Sequence, residues 1–215
     1  MTRRKRVLLA FALFDLLLLA MVVTLLLYIN SPERQTNKLA ELGVARFPDA
    51  QLVHDFTLQR HDGGTYSRAD LMGQWQLVFF GFTNCPDFCP LTMQALDRFY
   101  DNLQETGMEV DTQVVMITVD PARDSAQVLA EYLADFHESF VGLTGPEDAI
   151  QKLAAELLIT FHKPEEHDEH GGQDYVVQHS DYVAVIDPGG RYHSVMRAPF
   201  TPANLMTAYS AIREQ

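Results

Sequence analysis

The sequence predicts a layered α/β domain built on a mixed sheet, carried behind one N-terminal transmembrane helix. Three observations lead there. Residues 7–29 form an unbroken apolar run. Strand-like and helical patterns alternate from residue 74 to about residue 160. The C-terminal third holds a strand pair that turns at Pro188-Gly189-Gly190. Alternating strands and helices give parallel neighbours, and a terminal hairpin adds antiparallel ones.

The apolar run, "VLLAFALFDLLLLAMVVTLLLYI", is 23 residues long with one charge, Asp15. At about 1.5 Å per residue it covers the ~30 Å hydrocarbon core of a bilayer. A cleaved signal peptide would carry an apolar stretch of only about 7–15 residues and a small-x-small cleavage site, so the run reads as a retained anchor. Arg3, Arg4, Lys5 and Arg6 precede it. The positive-inside rule keeps that end in the cytoplasm. The expected division is therefore a cytoplasmic N-terminus at 1–6, the anchor at 7–29, a linker at 30–49 and the domain at 50–215. In a bacterium the domain would lie on the periplasmic side of the inner membrane. The first 29 residues carry a net +3, so the remainder must carry −16 to reach the formal −13 of the 215-residue chain. So acidic a domain excludes DNA and RNA as partners, because phosphate needs the opposite field.

The elements follow in order. Residues 30–50 read as a tether with one short helical stretch. "HDFTLQRHDGGTYS" holds two short strands around Gly63-Gly64, a hairpin signal. "QWQLVFFGF", 74–82, is apolar on both faces, as a buried central strand must be. Apolar residues at 91, 93, 96, 99, 100 and 103 then mark a helix that stops at Gly107. "TQVVMITV", 112–119, is a strand. "SAQVLAEYLADFH", 125–137, is a helix with Asp124 or Ser125 as its cap. "SFVGLTG" is a short strand, and Pro146 opens the next helix. A polar loop around 162–175 precedes "YVVQH" and the final strand pair, and "TPANLMTAYSAIRE" closes as a helix.

The chain has two cysteines, Cys85 and Cys89, in "GFTNCPDFCPLTM". They fall between the central strand and the first helix of the domain, the thioredoxin-like position. As a staple the pair would close almost no loop and constrain the unfolded chain little. A redox couple and a metal site remain. The helix N-terminus favours thiolate over thiol, so both sulfurs are expected to be reactive and near the surface.

A metal would need a third ligand. Of the eight histidines, His54, His61, His137 and His193 have structural readings. His162, His167 and His170 share the polar loop with Glu165, Glu166, Asp168 and Glu169, which reads as a solvated segment. His179 differs. It stands just before a strand, where thioredoxin-like oxidoreductases usually carry a cis-proline facing the cysteines. A histidine there suggests a ligand. Two thiolates and an imidazole make a soft, open site that suits copper; zinc prefers a fourth protein ligand.

"GFTNCPDFCPLTMQAL", "ITVDPARDSAQVLAEYLADF", "VGLTG" and "YVVQHSDYVAVIDPGG" together resemble the Sco/SenC family of copper-binding, thioredoxin-like cytochrome c oxidase assembly proteins. The likeness spans roughly residues 50–215. It implies that Cys85, Cys89 and His179 ligate a copper ion. It also implies that the chain is an anchored metallochaperone rather than an enzyme, and that it serves the dinuclear copper centre of oxidase subunit II. An upstream copper donor would load it. The competing reading is a thiol–disulfide oxidoreductase in which Cys85 and Cys89 cycle to a disulfide and keep the oxidase's own cysteines reduced. Two features depart from the family pattern: Gln178 stands where aspartate is common, and the histidine-rich loop 162–170 has no place in it. "VDPARD" reads as structural, with Arg123 pairing locally and Asp124 capping the next helix.

Overall fold

The computed structural model describes residues 3–29, 32–162 and 177–214 and divides into two compact units, Met1–Glu41 and Leu42–Gln215. The first holds α1 (Arg3–Ile29) and α2 (Pro32–Glu41). Within α1, Phe11–Ile29 has a mean hydropathy of 2.6 and buries none of its side chains. That composition and length suffice to cross a membrane.

The second unit is built on an eight-stranded mixed sheet. Its strands are β1 (Val44–Leu52), β2 (Thr57–Arg60), β3 (Thr65–Ser67), β4 (Trp75–Gly81), β5 (Thr112–Thr118), β6 (Val141–Thr144), β9 (Tyr182–Ile186) and β10 (Arg191–Arg197). A separate two-stranded ribbon pairs β7 (Phe161–His162) with β8 (Gln178–His179). The order across the large sheet is β1-β10-β9-β4-β5-β6-β2-β3. β4, β5 and β6 run parallel; every other pairing is antiparallel. β4 is central because Leu77, Val78, Phe79 and Phe80 are all buried, to 1 % exposure or less. Each such side chain contributes about 1.5–3 kcal/mol.

The parallel strands are joined through α3 (Phe88–Thr106) and α4 (Ala126–Leu133). α5 (Glu147–Glu156) follows β6, and α6 (Pro202–Arg213) closes the chain. α3 packs on α6, with Phe99 edge-on to Tyr209 at 5.5 Å. Gly107 ends α3 in the left-handed region, φ +75°, as its position after the last apolar residue predicts. The hairpins at Gly63-Gly64 and Pro188–Gly190 form as expected.

Four expectations change. The sheet begins before residue 50: Val44, Ala45 and Arg46 pair with Met196, Val195 and Ser194, so part of the span read as linker is an edge strand. α4 stops at Leu133 rather than 137, because the His137 N–H donates to Asp97 Oδ1 at 2.7 Å instead of a helical carbonyl. His179 does not lead directly into the next strand but lies in β8, three residues before β9. Asp124 does not cap α4; the Ser125 hydroxyl does, accepting from the Val128 N–H.

Candidate metal centre

The site forms where β4 ends. Gly81 leaves the sheet, six residues turn, and α3 starts at Phe88. Cys85 is half-buried in that turn; Cys89 lies in the first turn of α3 and is fully buried. Both are free thiols. The Cys89 N–H points at Cys85 Sγ, 3.4 Å away, one of the unpaired donors of a helix N-terminus. A side chain at Gly81 would not fit, since its Cβ would lie 2.6 Å from the Phe79 ring and 3.2 Å from Cys89 Sγ.

His179 arrives from β8, whose register sets it opposite Phe161. Its Nε2 is 3.4 Å from Cys89 Sγ. Its Nδ1 is 3.2 Å from the carbonyl of Ser180. A carbonyl only accepts, so that bond places the ring proton on Nδ1 and leaves the Nε2 lone pair facing the sulfurs. Phe79 and Phe82 meet the imidazole edge-on at 6.0 and 6.1 Å and hold its plane. The ligand atoms of Cys85, Cys89 and His179 lie within 4.8 Å of one another, the one such grouping of metal-binding side chains among the described residues.

The turn that carries Cys85 is anchored by the segment read as "VDPARD". Asp124 is fully buried. Its carboxylate accepts from the Thr83 N–H at 3.0 Å, the Thr83 hydroxyl at 2.6 Å and the Thr118 hydroxyl at 2.6 Å. Its carbonyl accepts from the Thr144 hydroxyl at 2.8 Å. One residue thus ties the cysteine turn to the ends of β5 and β6. Arg123 pairs with buried Asp120, as expected of a local contact, and its guanidinium covers the Phe82 ring at 5.8 Å. Thr83 carried no motif of its own; the only signal was a hydroxyl two residues before a cysteine.

The expectation that both cysteines are exposed and ionise readily fails for Cys89. Burial pushes its thiol well above the usual range, with help from its hydrogen bond to Cys85 and the nearby charges of Cys85 and Asp181. Desolvation outweighs the helix dipole, which favours a charge by only about 0.3–2 kcal/mol. Burial thus favours the thiol form of Cys89 over the thiolate.

The other histidines take structural places. His54 pairs with Glu156 at 2.7 Å, and His61 accepts from the Gly142 N–H at 3.0 Å. His137 binds Ser139, and His193 is buried edge-on to Trp75. His162 is exposed opposite Gln178 in the β7–β8 ribbon, and the Gln178 side chain is exposed too. His167 and His170 lie outside the described residues. Beside the cysteines is an apolar rim of Phe88, Leu91, Pro199 and Phe200 with Asp181 among them. Phe88 and Leu91 are 61 % and 63 % exposed.

A family model described as SCO1/SenC matches residues 45–213. The mitochondrial protein SCO1 of Saccharomyces cerevisiae is 35 % identical over 82 % of the chain, a match spanning 59 % of that longer protein. A putative copper-binding protein of Stutzerimonas stutzeri is 35 % identical over 75 % of the chain and 76 % of its own length. The crystal structure of yeast Sco1 with copper bound superposes with a TM-score of 0.70 at 32 % identity, covering 77 % of this chain and 90 % of that one.

Proposed function

The chain belongs to the SCO1/SenC family, and on that premise we propose that it is a membrane-anchored copper chaperone acting in cytochrome c oxidase assembly. Copper is its cargo. The observation that carries the reading is the convergence of Cys85, Cys89 and His179 within 4.8 Å. Thiolate sulfur is a soft donor that selects Cu(I), and imidazole suits copper in either oxidation state. Three protein ligands leave one side open, so an incoming ligand of an acceptor can attack and draw the metal away.

The chain's own residues set the terms of loading. Cys89 must lose its proton to ligate, because only thiolate binds metal. The Nδ1 bond to Ser180 presents the His179 lone pair without a tautomer change. Phe79 and Phe82 keep that face dry. The acceptor in this reading is oxidase subunit II, and an upstream donor supplies the copper. The exposed Phe88 and Leu91, directly beside Cys89, are suited to meet them. Arg3, Arg4 and Lys5 ahead of the apolar helix support a cytoplasmic N-terminus, with the domain on the periplasmic face of a bacterial inner membrane.

Thiol–disulfide exchange is the second reading, favoured by two free cysteines whose sulfurs are neighbours. It requires the cysteines but not His179. Copper titration of the reduced, detergent-solubilised chain separates the two. One tight site in the wild type, lost in both His179→Ala and Cys85→Ser/Cys89→Ser, is the expected result. Tight binding retained by His179→Ala would make the pair a redox couple first.

A further inference from the structure

A cleft of about 420 Å³ opens beside the metal ligands. One wall is the first turn of α3, where Phe88 and Leu91 stand on either side of Cys89 in the chain and Thr92 is buried beneath them. The other is the loop Ala198–Phe200 together with Asp181, two residues past His179. The Ala198 N–H donates to the Asp181 carbonyl at 3.4 Å, which ties that loop to the segment carrying the imidazole. An occupant of the cleft therefore lies along the two segments that hold Cys89 and His179.

The lining is mostly apolar. Phe88, Leu91 and Pro199 are exposed, and Phe200 is half-buried. Exposed apolar side chains gathered in one place mark a contact surface. Asp181 is the one charged side chain among the lining residues, and its carboxylate has neither a hydrogen bond nor an ion pair among the described residues. Arg197, next to Ala198 in the chain, lies instead over the Tyr182 ring, its guanidinium carbon 5.8 Å from the centroid. Apolar neighbours exclude part of the water that would screen the carboxylate, so a cation entering the cleft meets its charge at closer to full strength. A second copy is a poor occupant. The chain carries −13 overall and +3 before residue 30, so each domain carries −16 and two domains repel. The same charge opposes an anionic lipid surface.

We propose that this cleft is the docking site for the protein that takes copper from the chain, and that it receives an apolar side chain of that partner with an adjoining lysine or arginine held by Asp181. The inference rests on the copper reading above and adds to it the chemistry of the partner. Asp181 is a positioning residue: it is no copper ligand, and it sets the partner's own ligands at the open side of the site.

The test uses the full chain in detergent, reduced and copper-loaded, with the soluble copper domain of oxidase subunit II as acceptor. Asp181→Asn removes the charge and keeps the shape; Asp181→Arg reverses it. Copper affinity is measured by competition with a chelator, transfer rate over a range of salt, and self-association by size-exclusion chromatography. Expected are copper affinities within about twofold of wild type and low-salt transfer slowed about tenfold by Asp181→Asn and further by Asp181→Arg. The salt dependence should flatten in the first variant and reverse in the second. Unchanged transfer in both variants would overturn the inference alone. Weaker copper binding by Asp181→Asn would make the residue a support of His179 and overturn it too. Self-association of the wild type that Asp181→Asn abolishes would put a second copy in the cleft and also overturn it. A wild type that binds copper but does not pass it on would overturn the inference together with the acceptor assignment. One that binds no copper would overturn the copper reading as well.

Discussion

Both carboxylate oxygens of Asp124 hold Thr83, one taking its N–H at 3.0 Å and the other its hydroxyl at 2.6 Å. The two residues are 41 positions apart, and Thr83 stands two before Cys85. The position of the first sulfur therefore depends on a buried acid at the far end of β5. Asp124→Ala is expected to destabilise the domain by about 3 kcal/mol, since it strands the Thr83 and Thr118 donors in the interior. Urea denaturation measures this; a loss below about 1 kcal/mol would show that the turn is held by something else.

Gly81 lies close against the site. A methyl group there would meet the Phe79 ring at 2.6 Å and Cys89 Sγ at 3.2 Å. Gly81→Ala should cost about 1–3 kcal/mol through overpacking, and it should weaken copper binding because both Phe79 and Cys89 must shift. Denaturation and copper competition on one preparation check the two effects together. Native affinity in a destabilised variant would mean that the strain relaxes away from the sulfurs.

His193 gives the fold an acid limit of its own. Burial holds its pKa below the ordinary 6.5, with the Arg46 charge adding to the effect. The folded state then binds fewer protons than the unfolded state over that window. Stability from this residue is present above pH 6.5 and declines as pH falls toward the depressed folded value. Stability–pH curves of wild type and His193→Phe should diverge below pH 6.5, the wild type falling more steeply. Parallel curves would refute the assignment.

Leu91 is 63 % exposed in the first turn of α3 and touches none of the three site atoms' hydrogen bonds. Leu91→Glu should leave copper affinity within about twofold. If the apolar rim meets the acceptor, transfer to the copper domain of the oxidase subunit should slow by about tenfold, the scale of a truncated interface anchor. Equal transfer rates would place the docking surface elsewhere.

Much of this arrangement is local and so was legible along the chain. Strand β4 announces itself because a strand buried on both faces must be apolar throughout. Gly107 and Ser125 mark helix ends through their own backbone and side-chain chemistry. The cysteine pair is readable because strand-to-helix turns have a short, recognisable form. Where the reading went astray, the deciding partner was distant. Asp124 looked like a cap because a cap lies next to its helix, and Thr83 and Thr118 could not be paired with it by pattern. The end of α4 was misplaced because Asp97, on another helix, takes the His137 N–H. The early start of β1 depends on β10, about 150 residues later.

By itself the amino-acid order determined the apolar N-terminal run, the alternation that makes a mixed sheet, and which side chains can bind a soft metal. Those are properties of composition and short-range periodicity. Only the tertiary structure decided that Cys89 is buried, that His179 turns its Nε2 toward that sulfur, and that Asp124 anchors the cysteine turn through Thr83. Burial, desolvation and hydrogen bonds across 40 to 90 residues arise from the packed chain, and no local pattern encodes them.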